Sequence, residues 1–184
     1  MSNPATEKKK EPGMITLVLT LAIISIVMAA LLGFVNKMTI EPIAANTRAK
    51  TETAMNQVLP ADEYNQVEYT GSDPYVKSIY KAGEEGYVVL VTPTSGFSGA
   101  IEMMAGISND GAVTGIAIIN HAETSGLGSK ATDPKWQAQF VGSTEEVKVQ
   151  KDGGTIQAIT GSTITSRAVC DGVNAARGAL AELG

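Results

Sequence analysis

One stretch of the chain, 14–35 (MITLVLTLAIISIVMAALLGFV), carries no charged residue. At a rise of ~1.5 Å per residue it extends ~33 Å as a helix, enough to cross a hydrocarbon core of roughly 30 Å. The pattern predicts one membrane-spanning helix at 14–35 behind a polar tail, 1–13. A cleavable secretory signal is the alternative, but its apolar region usually covers only ~7–15 residues. The run here is longer, although Ala29 and Ala30 leave a cleavage site open. Farther on, 41–59 (EPIAANTRAKTETAMNQVL) predicts a mostly polar helix, with Pro42 at its start and Pro60 after its end. Ile43, Met55, Val58 and Leu59 give it a partial apolar face. It reads as a helical stalk (36–60) leading into a domain at 61–184.

That domain opens with a turn-rich stretch, 62–86, in which short strands are expected at 67–70 and 76–81. Three clearer runs follow: 86–92 (GYVVLVT), 100–107 (AIEMMAGI) and 112–120 (AVTGIAIIN). SGFSG separates the first two and SNDG the last two, so the three predict an antiparallel meander. A short helix is expected over 134–140, capped by Asp133 or Thr132, then strands at 147–150 and 155–159. The last helix, 166–183, places Val169, Val173, Ala176, Leu180 and Leu183 on one apolar stripe. Strands and a few helices outside a βαβ rhythm predict an α+β fold with a mainly antiparallel sheet and flanking helices.

Charge orients this plan. Lys8, Lys9 and Lys10 precede the apolar run and only Lys37 follows it closely, which predicts a cytoplasmic N-terminus and an extracytoplasmic domain. Beyond the run, 11 Lys/Arg stand against 17 Asp/Glu. An acidic domain without a basic patch argues against nucleic acid and against electrostatic docking on anionic lipid. Cys170 is the one cysteine and His121 the one histidine, so neither an internal disulfide nor a zinc site of the usual multi-ligand kind is expected. Redox chemistry on this chain calls for an organic cofactor.

Two segments have the composition of a site. Thr160, Gly161, Ser162, Thr163 and Thr165 crowd the start of the last helix, with Ser166 next. A helix N-terminus presents unpaired N–H groups and the positive end of the helix dipole, and so favours phosphate. The plain alternative is that Thr163 or Thr165 is an N-cap. No lysine follows the glycine as a P-loop requires. The second segment, HAETSGLGSK (121–130), follows a strand and holds an acid, a lysine and two glycines; its plain alternative is a polar turn. A nucleophile built on His121 with a hydroxyl and Asp133 or Asp171 finds no G-x-S-x-G elbow to support it.

Taken together, the segments resemble a known family. HAETSGLGSK is similar to an HxETPGLG segment, and TGSTIT (160–165) to a glycine–alanine–hydroxyl–x–threonine segment, of the FMN-binding domain in the G subunit of the Rnf complex. The C subunit of the sodium-pumping NADH:quinone oxidoreductase shares that domain. The resemblance extends over the apolar anchor and SGFSGAIEMMAGI. It implies FMN bound covalently, as a phosphoester to Thr165. Thr160, Gly161, Ser162 and Thr163 are then the rest of a segment read by a flavin transferase, with Glu123 and Thr124 beside the flavin and Gly126, Leu127 and Gly128 shaping the loop. Ser125 replaces the usual proline and Ser162 the usual alanine.

The resemblance implies an electron carrier in the cytoplasmic (inner) membrane, within an ion-translocating ferredoxin:NAD+ oxidoreductase. It has no substrate site of its own, and other integral subunits of the complex are its partners. The chain has neither G-x-G-x-x-G nor a cysteine cluster, which places the nicotinamide and ferredoxin sites on those subunits. Alternatives are the corresponding subunit of the NADH:quinone pump, a stand-alone extracytoplasmic flavin carrier, and a membrane-tethered binding or assembly module without cofactor.

Overall fold

A computed structural model describes residues 13–183; the polar tail expected at 1–13, Lys8–Lys10 included, lies outside them but for Gly13. The chain divides after Thr47 into two compact units. The expected span and stalk are one continuous helix, α1 (Met14–Val58), which runs through Pro42. Its first part, Met14–Ile40, is long and apolar enough to cross a membrane, and side chains such as Leu21, Ile24, Leu32 and Phe34 are exposed.

From Arg48 onward the second unit is built on a five-stranded antiparallel sheet in simple meander order. Its strands are β1 (Tyr64–Val67), β2 (Val76–Ala82), β3 (Gly86–Val91), β4 (Ile101–Ser108) and β5 (Val113–His121). The expected strand at 67–70 lies earlier, at β1, with Tyr64 opposite Ala82. The reason is local: Asp73 accepts the Tyr75 N–H at 2.8 Å, and such an Asx turn at Pro74 spends the intervening residues on reversing the chain.

Both faces of the sheet are covered. Val89, Val91, Met103, Ala105 and Ile107 pack in one core with Ala168, Val169, Val173 and Ala176 of the long helix described next. On the other face Val88, Met104 and Ala117 pack against Ala54, Met55, Val58 and Leu59. Double burial explains why β3 and β4 read as nearly unbroken apolar runs rather than alternating ones. Register shifts in the β4–β5 pair break strict alternation, so that Val113 and Ile116 join the same core.

Beyond the sheet, α2 (Pro134–Gln137) is capped by Asp133, whose carboxylate accepts the Lys135 N–H. A 3-10 turn, Ala138–Phe140, continues it. The strands expected at 147–150 and 155–159 reduce to one parallel bridge, Val149 to Ile156. A 3-10 turn at Gln150–Asp152 and the left-handed Gly153 interrupt the chain between them, so pairing does not propagate. The last helix, α3 (Thr163–Leu183), begins three residues earlier than its apolar stripe suggested. The Ser162 carbonyl accepts the Ser166 N–H at 3.0 Å, which places Ser162 at the cap. Gly161, at φ +79°, supplies the left-handed residue that turns the chain into the helix.

Candidate functional site

The two hydroxyl- and glycine-rich segments meet. The loop after β5 and the start of α3 form most of the wall of one cavity of about 360 Å³. Of the residues singled out in the sequence, Glu123, Thr124, Leu127, Gly128, Gly161, Ser162, Thr163 and Thr165 line it. Thr160 and Gly126 are exposed and stand outside that wall.

At the floor, Thr165 is fully buried and donates its hydroxyl to Glu123 Oε2 at 2.7 Å. Glu123 is 8 % exposed, and its other oxygen accepts the Ser98 N–H at 3.1 Å. A buried carboxylate is costly unless it is hydrogen-bonded, and here each oxygen has a donor. Gly128 makes the pair possible, because a Cβ there would lie 2.5 Å from Glu123 Oε2 and 2.9 Å from Thr165 Oγ1. The Glu123 N–H in turn donates to His121 Nδ1 at 3.1 Å, so His121 anchors the backbone of the acid.

The hydroxyl cluster is not spent on capping. Among the described residues, no side chain accepts from the N–H groups of Thr163, Ile164 or Thr165. The first turn of α3 keeps the free donors and positive dipole end that suit an anion. Lys151 reaches the same wall and donates to Thr163 Oγ1 at 3.4 Å. It is carried there by the turn Gln150–Asp152, tied to α3 through a two-pronged pair of Asp152 with Arg167 at 2.6 and 2.7 Å. Those hydrogen bonds hold the Asp152 carboxyl below its ordinary range.

Three lining residues were not singled out in the sequence: Phe97, Lys151 and Ile164. Phe97 and Ile164 had a signal, a large apolar side chain amid turn or hydroxyl residues; with Leu127 they are among the exposed large apolar side chains of the domain. Lys151 had none. The cavity thus joins a polar end, with N–H groups, hydroxyls and an ammonium, to an apolar rim. That division suits a ligand with a phosphate and a flat ring system, as FMN is. The triad alternative does not assemble: Asp133 caps α2, Asp171 accepts from Ser95 at 3.0 Å, and His121 faces the Glu123 backbone.

Comparison with known proteins agrees with the geometry. A profile of the FMN-binding domain matches residues 96–178, and a profile of the RnfG N-terminal region matches 12–58. The G subunit of the Na(+)-translocating ferredoxin:NAD(+) oxidoreductase complex of Acetobacterium woodii is 52 % identical over 96 residues, 48 % of this chain and 46 % of that one. The G subunit of the ion-translocating oxidoreductase complex of Methanosarcina acetivorans is 35 % identical over 172 residues, 86 % of this chain and 90 % of its own. Its Escherichia coli K12 counterpart is 32 % identical over 178 residues, 86 % of each.

Proposed function

The chain belongs to the G-subunit family of ion-translocating oxidoreductase complexes, and from that premise we propose that it is the membrane-anchored flavoprotein of an Rnf-type ferredoxin:NAD+ oxidoreductase. One observation carries the reading. The FMN-binding match spans 96–178, and within it the fold brings residues of TGSTIT and HAETSGLG into the lining of a single cavity, joined by the Thr165–Glu123 hydrogen bond.

FMN, when bound, supplies one- and two-electron transfer. The chain supplies the place for it. The α3 N-terminus and Lys151 receive the phosphate, Phe97, Leu127 and Ile164 flank the ring system, and Thr165 carries the phosphoester. Covalent attachment by a flavin transferase keeps the cofactor with the protein outside the cytoplasm. The Lys8–Lys10 cluster orients the span with its N-terminus in the cytoplasm, and the domain works on the opposite side among the other integral subunits. The protein is an electron carrier in this role; its substrates are the redox groups of its neighbours.

The reading is tested by expressing the chain with and without a flavin transferase and viewing the SDS-denatured protein under ultraviolet light. A fluorescent band that requires the transferase is expected, with the mass of FMN less water on the peptide holding Thr165. The Thr165→Ala variant is expected to be dark. Denaturation-stable flavin on that variant removes Thr165 from its role.

A further inference from the structure

The segment TGSTITS offers five hydroxyls, and the reading above esterifies one of them. The structure shows what sets that one apart. Ser166 Oγ donates to the Ser162 carbonyl and accepts the Ile159 N–H, both at 2.9 Å. Thr163 Oγ1 faces the Lys151 ammonium, which has no lone pair to take a proton. Thr160 is outside the cavity wall. Ser162, which lines it, is engaged through its backbone carbonyl by Ser166 and has no carboxylate on its hydroxyl among the described residues. Among the described residues of this cluster, Thr165 alone donates to a carboxylate.

We propose that Glu123 selects Thr165 as the attachment site by accepting its hydroxyl proton as the phosphoester forms. The inference rests on the covalent-FMN reading and adds the group that drives it. A phosphate monoester and an alcohol do not condense in water unaided, so the donor must hold its FMN phosphate as an anhydride to a second phosphate. The Thr165 Oγ–H bond breaks and the proton passes to Glu123 Oε2. The Oγ–P bond forms, the P–O bond of the anhydride breaks, and the second phosphate leaves with that electron pair; nothing is oxidised or reduced.

The site is built for that transfer. Thr165 Oγ1 and Glu123 Oε2 stand 2.7 Å apart, inside the heavy-atom range a general base requires. The Ser98 N–H engages the other oxygen, which holds Oε2 toward Thr165. The product reinforces the assignment. An ester oxygen has no hydrogen, so an ionised Glu123 left beside it would have lost its donor in a wall where it is only 8 % exposed. A Glu123 that has kept the proton can donate to the same oxygen. The bond reverses direction and the carboxyl group is satisfied before and after.

The test measures the initial rate of covalent FMN incorporation into the full-length chain, from flavin adenine dinucleotide and an active flavin transferase, by mass spectrometry of the Thr165 peptide. Glu123→Gln keeps size and a hydrogen-bond acceptor but takes no proton; Glu123→Asp keeps the base and loses one methylene. Removing a general base lowers a rate about 10²–10⁴-fold, so E123Q is expected to fall at least ~100-fold and E123D to be the faster of the two. The order E123Q above E123D, or E123Q at the wild-type rate, overturns proton acceptance and leaves the covalent reading standing. If E123Q does not fold, Glu123→Ala in added formate takes its place: a rate rising with formate supports the proposal, a flat response overturns it. Wild-type protein that takes up no covalent flavin overturns the covalent reading and this inference with it; covalent flavin on Thr165→Ala removes Thr165 from its role and overturns this inference alone.

Discussion

Cys170 sits on the inward face of α3, and burial, with Asp171 and Asp152 adding to it, pushes its thiol up to about 12. The reactive species is the thiolate, so the folded protein at pH 8 presents about one part in 10⁴ of it, against roughly a quarter for an unfolded thiol of pKa ~8.5. Iodoacetamide at pH 8 is expected to label Cys170 only after denaturation; prompt labelling of the native chain would contradict its burial. The linkage sign follows. The folded pKa is raised, so the contribution is intact below the unfolded value and is lost as pH climbs from there toward about 12. Other single residues show how local chemistry reaches the site. Ser125, in the place of a proline, sits in a turn closed by its own bonds: Leu127 N–H and Ser129 N–H to the Thr124 carbonyl at 3.2 Å, and Gly126 N–H to Ser129 Oγ at 2.9 Å. The turn holds without the ring. Glu123 and Thr165 could be picked from their segments, but their hydrogen bond spans 42 positions. Lys151 could not be picked at all, because its place depends on the Asp152–Arg167 pair.

Among the elements, the end of α1 is the least expected. Read from sequence, 41–59 looks detached, because Pro42 punctuates it and its apolar positions are few. Three of them, Met55, Val58 and Leu59, are buried by the sheet, with Ala54 beside them. The docking is close. Gly106 faces Gly115 across the β4–β5 pair, a Cβ on Gly106 would lie 2.5 Å from the Val58 carbonyl oxygen, and Thr114 Oγ1 donates to that oxygen at 2.6 Å. Gly106→Val therefore drives a side chain into the helix end, and overpacking of this kind costs about 1–3 kcal/mol. Thr114→Val removes one hydrogen bond, about 1 kcal/mol. Urea unfolding is expected to show lower midpoints in that order with flavin attachment unchanged, since neither residue lines the cavity. Strands β3 to β5 and α3 were legible because their burial writes apolar runs and a stripe into the sequence. The start of α3 was not, because Thr163 and Ile164 are β-branched and exposed or half-exposed; the turn at Gly161 and the bond from Ser166 to Ser162, not propensity, begin the helix there.

For the whole molecule, the question is where the domain begins. A boundary at 61, after the stalk, follows the sequence pattern; the two compact units instead part after Thr47. The difference is physical, because 54–59 closes one face of the sheet. Burying a Val, Leu or Met side chain is worth ~1.5–3 kcal/mol, so Met55, Val58 and Leu59 together contribute roughly 4.5–9 kcal/mol, an upper estimate because unfolded chains already bury some surface. Net stabilities are only about 5–15 kcal/mol. A fragment of 48–184 lacks the apolar span and keeps the whole sheet covered; it is expected to be soluble without detergent, to melt cooperatively and to accept FMN on Thr165. A fragment of 61–184 leaves Ala82, Val88, Met104 and Ala117 without their cover, and is expected to aggregate or to melt far lower. Circular dichroism melts and size-exclusion profiles of the two decide it. Equal melting temperatures would mean that the end of α1 is a lid the sheet does not need, and the boundary at 61 would then be the right one.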